Sequence, residues 1–282
     1  MNEAESLPEG RYVVPALAQG LSVLALFSRE TPVLAAPEIA QRLSLPRTTV
    51  FRLLHTLHLM GYLKRCEDER SFSLGPAILN RGFTYLSSLD IVEIAQPILQ
   101  KLRDETGMSA HLAVRDGREI VYVARVAART TVASTVQIGT RFPVHATVMG
   151  RMILCEFTDQ ALAELFPDDA LPAFSEQTPA TRADLQVMLA QDRARGFVIS
   201  QSFFERGVSS IAAPVRDGAG AIVAAINVTS VDSYVPVEEM QGALKDAVLA
   251  ASFELTRWLS AAPGDSQRRI GGTRVRRTAE TV

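Results

Sequence analysis

Between Ile39 and Arg65 the chain carries Arg42, Arg47, Arg52, Lys64 and Arg65, and no acidic residue. Basic charge without neighbouring carboxylates is what phosphate binding requires. Arg47 and Arg52 flank Thr48 and Thr49. Arginine offers paired donors to guanine or phosphate; threonine offers a hydroxyl to phosphate and a methyl to thymine. With Lys64, Arg65 and Arg70, these side chains form a candidate set for contacts with double-stranded DNA. Residues 1–75 hold eight Lys+Arg and eight Asp+Glu, so the basic charge is local to this stretch. On the residues alone, an interaction domain with solvated arginines stays open as the alternative.

Other reactive side chains are sparse. His55 and His58 have a spacing that suits a metal, yet no third ligand follows nearby. Cys66 and Cys155 are the only cysteines and form no CxxC pair, which speaks against a disulfide scaffold or a zinc site. Cys155 follows Ile153 and Leu154 and reads as inert core. His145 reads as a structural histidine, and Arg141 as a brace for the loop from Gly139 to Pro143. There is no G-x-S-x-G elbow and no phosphate-binding glycine loop, since Gly218 and Gly220 belong to a turn. The expectation is therefore no enzyme, no metal and no cofactor.

The 282 residues suit two domains, and a hydrophobic content of 47% against 21% charged suffices for packed cores. The net charge of -2 gives no global attraction to nucleic acid. The acidic start MNEAESLPEG lacks a secretory pattern, and no apolar run approaches the roughly 20 residues of a membrane helix. A cytoplasmic protein with no membrane partner is expected.

The elements that must position the basic residues follow from spacing. Leu17, Leu21, Leu24 and Phe27 recur at helical intervals. Pro37 and Glu38 suit the first turn of a second helix, and Ser44-Leu45-Pro46 interrupts it. A third helix runs from Thr48 to Leu57 and closes at Gly61. Residues 62–65 and 71–74 flank a charged tip and predict a hairpin. Helices follow over 75–90 and 91–106. Strands are expected at 110–114, 119–124, 132–138, 197–200, 208–215 and 221–229, with helices at 147–157, 159–166, 181–195 and 237–260. The pattern implies an α+β protein, its sheet covered by helices.

The run P-E-I-A-Q-R-L-S-L-P-R-T-T-V-F-R-L-L-H-T-L-H-L-M-G-Y-L resembles the N-terminal domain of the IclR family of regulators. R-F-P-V-H-A-T-V-M-G-R-M-I-L, R-A-R-G-F-V-I-S and G-V-S-S-I-A-A-P-V-R-D-G-A-G-A-I-V-A-A-I-N-V-T fall where that family's effector-domain blocks lie. The resemblance implies a winged helix-turn-helix over 1–75, a linker helix over 76–90 and a GAF-like α/β effector-binding domain over 91–261. An Arg-rich tail over 262–282 reads as disordered. It further implies a homodimer or dimer of dimers on a palindromic operator.

I-G-T-R-F-P and A-T-V-M-G-R-M-I-L are similar to the aromatic-degradation branch, the PcaR, PcaU and PobR group. That likeness implies a small-molecule effector that is an aromatic or dicarboxylic acid. Matched motif to motif, its pocket would use Thr147, Val148, Met149, Ser200, Val208, Ser210, Asn227 and Thr229. Asn227 and Thr229 are two apart and share a strand face, while free N–H groups at the helix start near Thr147 would favour a carboxylate. A sensor acting through protein partners is the alternative, with a small-molecule enzyme ranked last.

Overall fold

Proline placement sets the first helices. In the computed structural model, which describes residues 12–68, 70–129, 136–201, 207–231 and 235–261, α1 (Pro15–Ala25) and α2 (Ala36–Arg42) carry Pro at their starts. The missing N–H is harmless there. α3 (Arg47–Leu59) begins directly after Pro46. Between α2 and α3 the chain turns at Ser44, the only non-glycine residue with positive φ (53°) among the described residues. Leu45 N–H donates to Ala40 O at 3.0 Å and holds that turn.

β1 (Val33–Ala35), β2 (Leu63–Arg65) and β3 (Ser71–Leu74) form an antiparallel sheet of order β1-β3-β2. The hairpin is as expected; β1 is an addition, too short for its period to show in the sequence. Val23, Phe27, Leu34, Ile39, Val50, Leu54, Leu63 and Phe72 make the core beneath it. Leu17 and Leu21, from the apolar stripe of the first helix, are 63% and 60% exposed, and Val23 is the residue of α1 that is buried.

Two glycines close the base of the hairpin. Gly61 ends α3 at φ +76°, and a Cβ on Gly75 would lie 2.2 Å from Gly61 O. Only glycine fits at either position.

The chain divides between Leu86 and Ser87 into two compact units. α4 (Ala77–Ser87) and α5 (Asp90–Thr106) follow the hairpin. The second unit is built on β4 (Ser109–Asp116), β5 (Glu119–Val126), β6 (Arg141–Pro143), β7 (Val198–Gln201), β8 (Val208–Arg216) and β9 (Ile222–Val231). These form one antiparallel sheet of order β6-β5-β4-β9-β8-β7.

Helices cover both faces, as expected of an α+β protein. Ala113, Tyr122, Val198, Ala212 and Ala225 share a core with α6 (Val148–Leu154), α7 (Asp159–Leu165) and α8 (Arg182–Arg195). The alternate residues Leu112, Ala213 and Ile226 point the other way and are equally buried. α5 and α10 (Ala243–Ala261) pack on the sheet and on each other. A single final helix was expected, but α9 (Val237–Gln241) precedes α10, separated from it by Gly242.

Most of the strand expected at 132–138, and the tail over 262–282, lie outside the described residues. Of that strand, 136–138 are described and take no strand form. Arg141–Pro143, read as loop, pairs with β5 instead.

Candidate nucleic-acid interface and effector site

α3 presents its leading end outward. Arg47, Thr48 and Arg52 are exposed and Thr49 is half-buried, while Val50 and Leu54 face the core. The 3.6-residue period separates these two sets. No side chain caps the first turn of α3, so its backbone donors remain available to an anion. Phe51 also stands out, 63% exposed and stacked on His55 at 6.4 Å. Phe51 is absent from the candidate set, although an aromatic one residue from Arg52 is a signal for apolar contact with a thymine methyl.

The hairpin tip is organised by Asp68. Its Oδ1 accepts from the N–H of Arg70 and of Ser71, each at 3.0 Å, and these bonds hold its carboxyl below the usual carboxylate range. Lys64 and Arg70 are exposed. Arg65 departs from the candidate set. It pairs across the hairpin with buried Phe72, and its guanidinium lies 5.7 Å from that ring centroid. Alternation explains this: Leu63 and Arg65 share the core face of β2, and Lys64 takes the outer one.

In the second unit the register brings several candidates onto the face that α6 covers. Ser210 stands opposite Ser200 and Thr229, and Asn227 opposite His111. Asn227 Nδ2 donates to Ser210 Oγ at 2.9 Å and to Thr229 Oγ1 at 3.0 Å. Val208 lies two residues before Ser210, on the same face. Ser210 and Asn227 are buried, as is His111, which the sequence reading missed. The signal for it was present: in Ala-His-Leu-Ala-Val, the period of two places His111 on the side of Ala113.

His111 Nδ1 lies 3.0 Å from Asn227 Oδ1, and its ring meets Tyr122 edge-on at 5.5 Å. Burial pushes the His111 imidazole down to about 4, outweighing the opposing hydrogen bond to Asn227 Oδ1; Arg125 adds a smaller push in the same direction. The ring is therefore neutral at physiological pH.

The start of α6 is less open than expected. Thr147 Oγ1 accepts from Gly150 N at 3.0 Å, capping the helix with its own side chain. A Cβ on Gly150 would sit 1.9 Å from Val144 O, so the preceding turn packs directly on the helix. The expected set of free N–H groups for a carboxylate is reduced accordingly. Val148 and Met149 lie in the apolar core with Tyr122. The structure thus brings Ser200, Ser210, Asn227 and Thr229 together, and places Thr147, Val148 and Met149 in the packing above the sheet.

The remaining reactive groups have structural surroundings. His145 Nε2 lies 2.9 Å from Pro172 O, and Arg141 bridges Asp116 and Glu119 at 2.7 and 2.6 Å. Burial pushes the Cys155 thiol up to about 12, which disfavours a nucleophilic thiolate. Among the described residues there is no group of three side chains that could hold a metal, and no helix long and apolar enough to cross a membrane.

Residues 16–66 match the IclR helix-turn-helix domain, and 83–257 match the bacterial transcriptional regulator IclR C-terminal domain. The chain belongs to the IclR family. It is a ligand-responsive, DNA-binding transcription regulator. It is similar to the Pca regulon regulatory protein of Pseudomonas putida, 34% identical over 244 residues that cover 86% of this chain and 83% of the relative.

Among solved structures, a protein of Rhodococcus sp. RHA1 described as a transcriptional regulator superposes with a TM-score of 0.78 at 32% identity. The match covers 88% of this chain and 99% of that one. An IclR homolog of Microbacterium hydrocarbonoxydans complexed with 4-hydroxybenzoate gives 0.76 at 23% identity, covering 88% of this chain and 100% of that one. That second likeness concerns the IclR fold.

Proposed function

We propose that this IclR-family chain is a cytoplasmic, non-enzymatic regulator that binds a palindromic operator as a homodimer or dimer of dimers. Residues 1–75 serve as the winged helix-turn-helix, 76–90 as the linker helix and 91–261 as the effector-binding domain. The observation that carries the DNA half is the exposed, uncapped leading end of α3, bearing Arg47, Thr48 and Arg52. In a helix-turn-helix that end enters the major groove, where arginine reads guanine and phosphate. Thr49, Phe51, Lys64 and Arg70 complete the proposed contact set; Arg65, lying over Phe72, leaves it.

The effector is a small aromatic or dicarboxylic acid. The likeness to the Pca regulon regulatory protein supports this class. So does the group of buried Ser210 and Asn227 with half-buried Thr229, and with Ser200 and Val208 beside it. A few convergent polar groups on an apolar wall are what small-molecule sites provide. Two-fold assembly gains support from Leu17 and Leu21, exposed on α1 as apolar surface. Mobility-shift titration of the upstream intergenic duplex, with and without a panel of benzoates and short dicarboxylates, tests both halves. Binding to no duplex rejects the first, and indifference to every acid rejects the second.

A further inference from the structure

His111 has a hydrogen-bonding atom that the protein leaves unsatisfied. The residue is 1% exposed, and its Nε2 has no partner among the described residues. The network around it determines which ring nitrogen carries the proton. Ser210 has one hydroxyl hydrogen, and Val228 O lies 3.1 Å from its Oγ. With the hydrogen placed there, Ser210 Oγ acts as acceptor for Asn227 Nδ2 at 2.9 Å. The second Asn227 amide hydrogen goes to Thr229 Oγ1 at 3.0 Å. Thr229 in turn donates to Ser210 Oγ at 3.1 Å.

Both amide hydrogens are then engaged, and Asn227 Oδ1 is the atom facing His111 Nδ1 at 3.0 Å. An amide oxygen only accepts, so Nδ1 carries the ring proton. A neutral imidazole has one N–H, which leaves Nε2 as a bare acceptor. A buried acceptor without a donor destabilises the fold, and a ligand hydroxyl relieves that penalty. Register places this acceptor on the sheet face of Ser200, Ser210 and Thr229, and Arg125 stands opposite His111 on β5.

We propose that His111 Nε2 receives a hydroxyl hydrogen from the effector, so that the pocket selects a hydroxylated acid over the analogue lacking that hydroxyl. The proposal rests on the effector-acid reading above and specifies it further. His111 thereby becomes a specificity-determining residue, held in its tautomer by Asn227.

The test uses the full chain labelled with 15N-histidine and three probes: 4-hydroxybenzoate, benzoate and phenol. In the free protein, Nε2 should resonate as an unprotonated ring nitrogen. 4-Hydroxybenzoate should bind about tenfold tighter than benzoate, the worth of one hydrogen bond, and should move the Nε2 resonance. His111→Phe should bring the affinity ratio of the two acids close to one. A proton on Nε2, an unmoved resonance at saturation, or equal affinity for the two acids overturns the proposal; equal affinity leaves the acid reading standing. Binding of phenol alone, with Nε2 shifted, upholds His111 while removing the acid reading. No binding by any of the three overturns the hydroxyl proposal together with the aromatic half of the acid reading.

Discussion

Arg151 on α6 places both Nε and Nη2 on a single oxygen of Asp192 on α8, at 2.8 and 2.5 Å from Oδ2. The side chains are 6% and 1% exposed, so this is a buried ion pair tying two helices together above the sheet. Burial pushes the Asp192 carboxyl upward and the Arg151 guanidinium opposes that shift. Asp192 Oδ1 has no hydrogen-bond partner among the described residues.

Breaking the pair from one side leaves a buried charge uncompensated. Arg151→Met is expected to cost about 3–5 kcal/mol in urea denaturation. Adding Asp192→Leu to that variant should recover much of the loss, since no charge then remains to be solvated. A single variant as stable as the parent would show that the pair is open to water.

Gly150 tests the close packing of the turn on α6. The Cβ of Gly150→Ala would meet Val144 O, a backbone atom with little freedom to move. The expected loss is at least about 1–3 kcal/mol, the usual range for overpacking. Thermal melts give the answer, and an unchanged midpoint would show that the turn yields.

His111 gives the second unit a pH-dependent stability of definite sign. Its folded value of about 4 lies below the ordinary 6.5, so the unfolded chain takes up the proton first. Stability is intact above about 6.5, falls as pH drops from there to about 4, and levels off below. The total is on the order of 3 kcal/mol. His145 is shifted the same way by burial, so the comparison must be with His111→Gln, which should lose this part of the slope. Identical slopes for parent and variant would contradict the buried neutral ring.

The basic residues of the first unit should separate by role. Arg52→Ala should weaken specific DNA binding by about 1–3 kcal/mol and relax preference at one base pair. Lys64→Ala should weaken binding to all sequences alike and lower the salt slope by about 1. Arg65→Ala should change thermal stability through lost packing on Phe72, with little effect on the salt slope. Anisotropy titrations over a range of salt distinguish the three.

Much of this was legible in the residues because local rules agreed. Pro46, the apolar period through Val50 and Leu54, and Gly61 all specify one helix with one exposed leading end. The hairpin is equally clear, and its alternation places Arg65 on the side of Leu63, a position that its charge alone does not reveal. Leu17 and Leu21 mark a helix without saying which face is buried, since packing against α3 decides that. β1 and β6 are three residues each and owe their existence to long-range partners, which sequence spacing does not record. His111 was hidden for a related reason. Its meaning depends on Asn227, 116 positions away.

On the reading proposed above, α3 reads DNA under control of a small acid bound in the second unit. Anisotropy of a labelled duplex from the protein's own upstream region measures this most directly. Binding should be salt-sensitive, weaken in Arg52→Ala and shift in affinity when an effector acid is added. Equal affinity for that duplex and a scrambled one, unchanged by Arg52→Ala and by every acid tried, would contradict it.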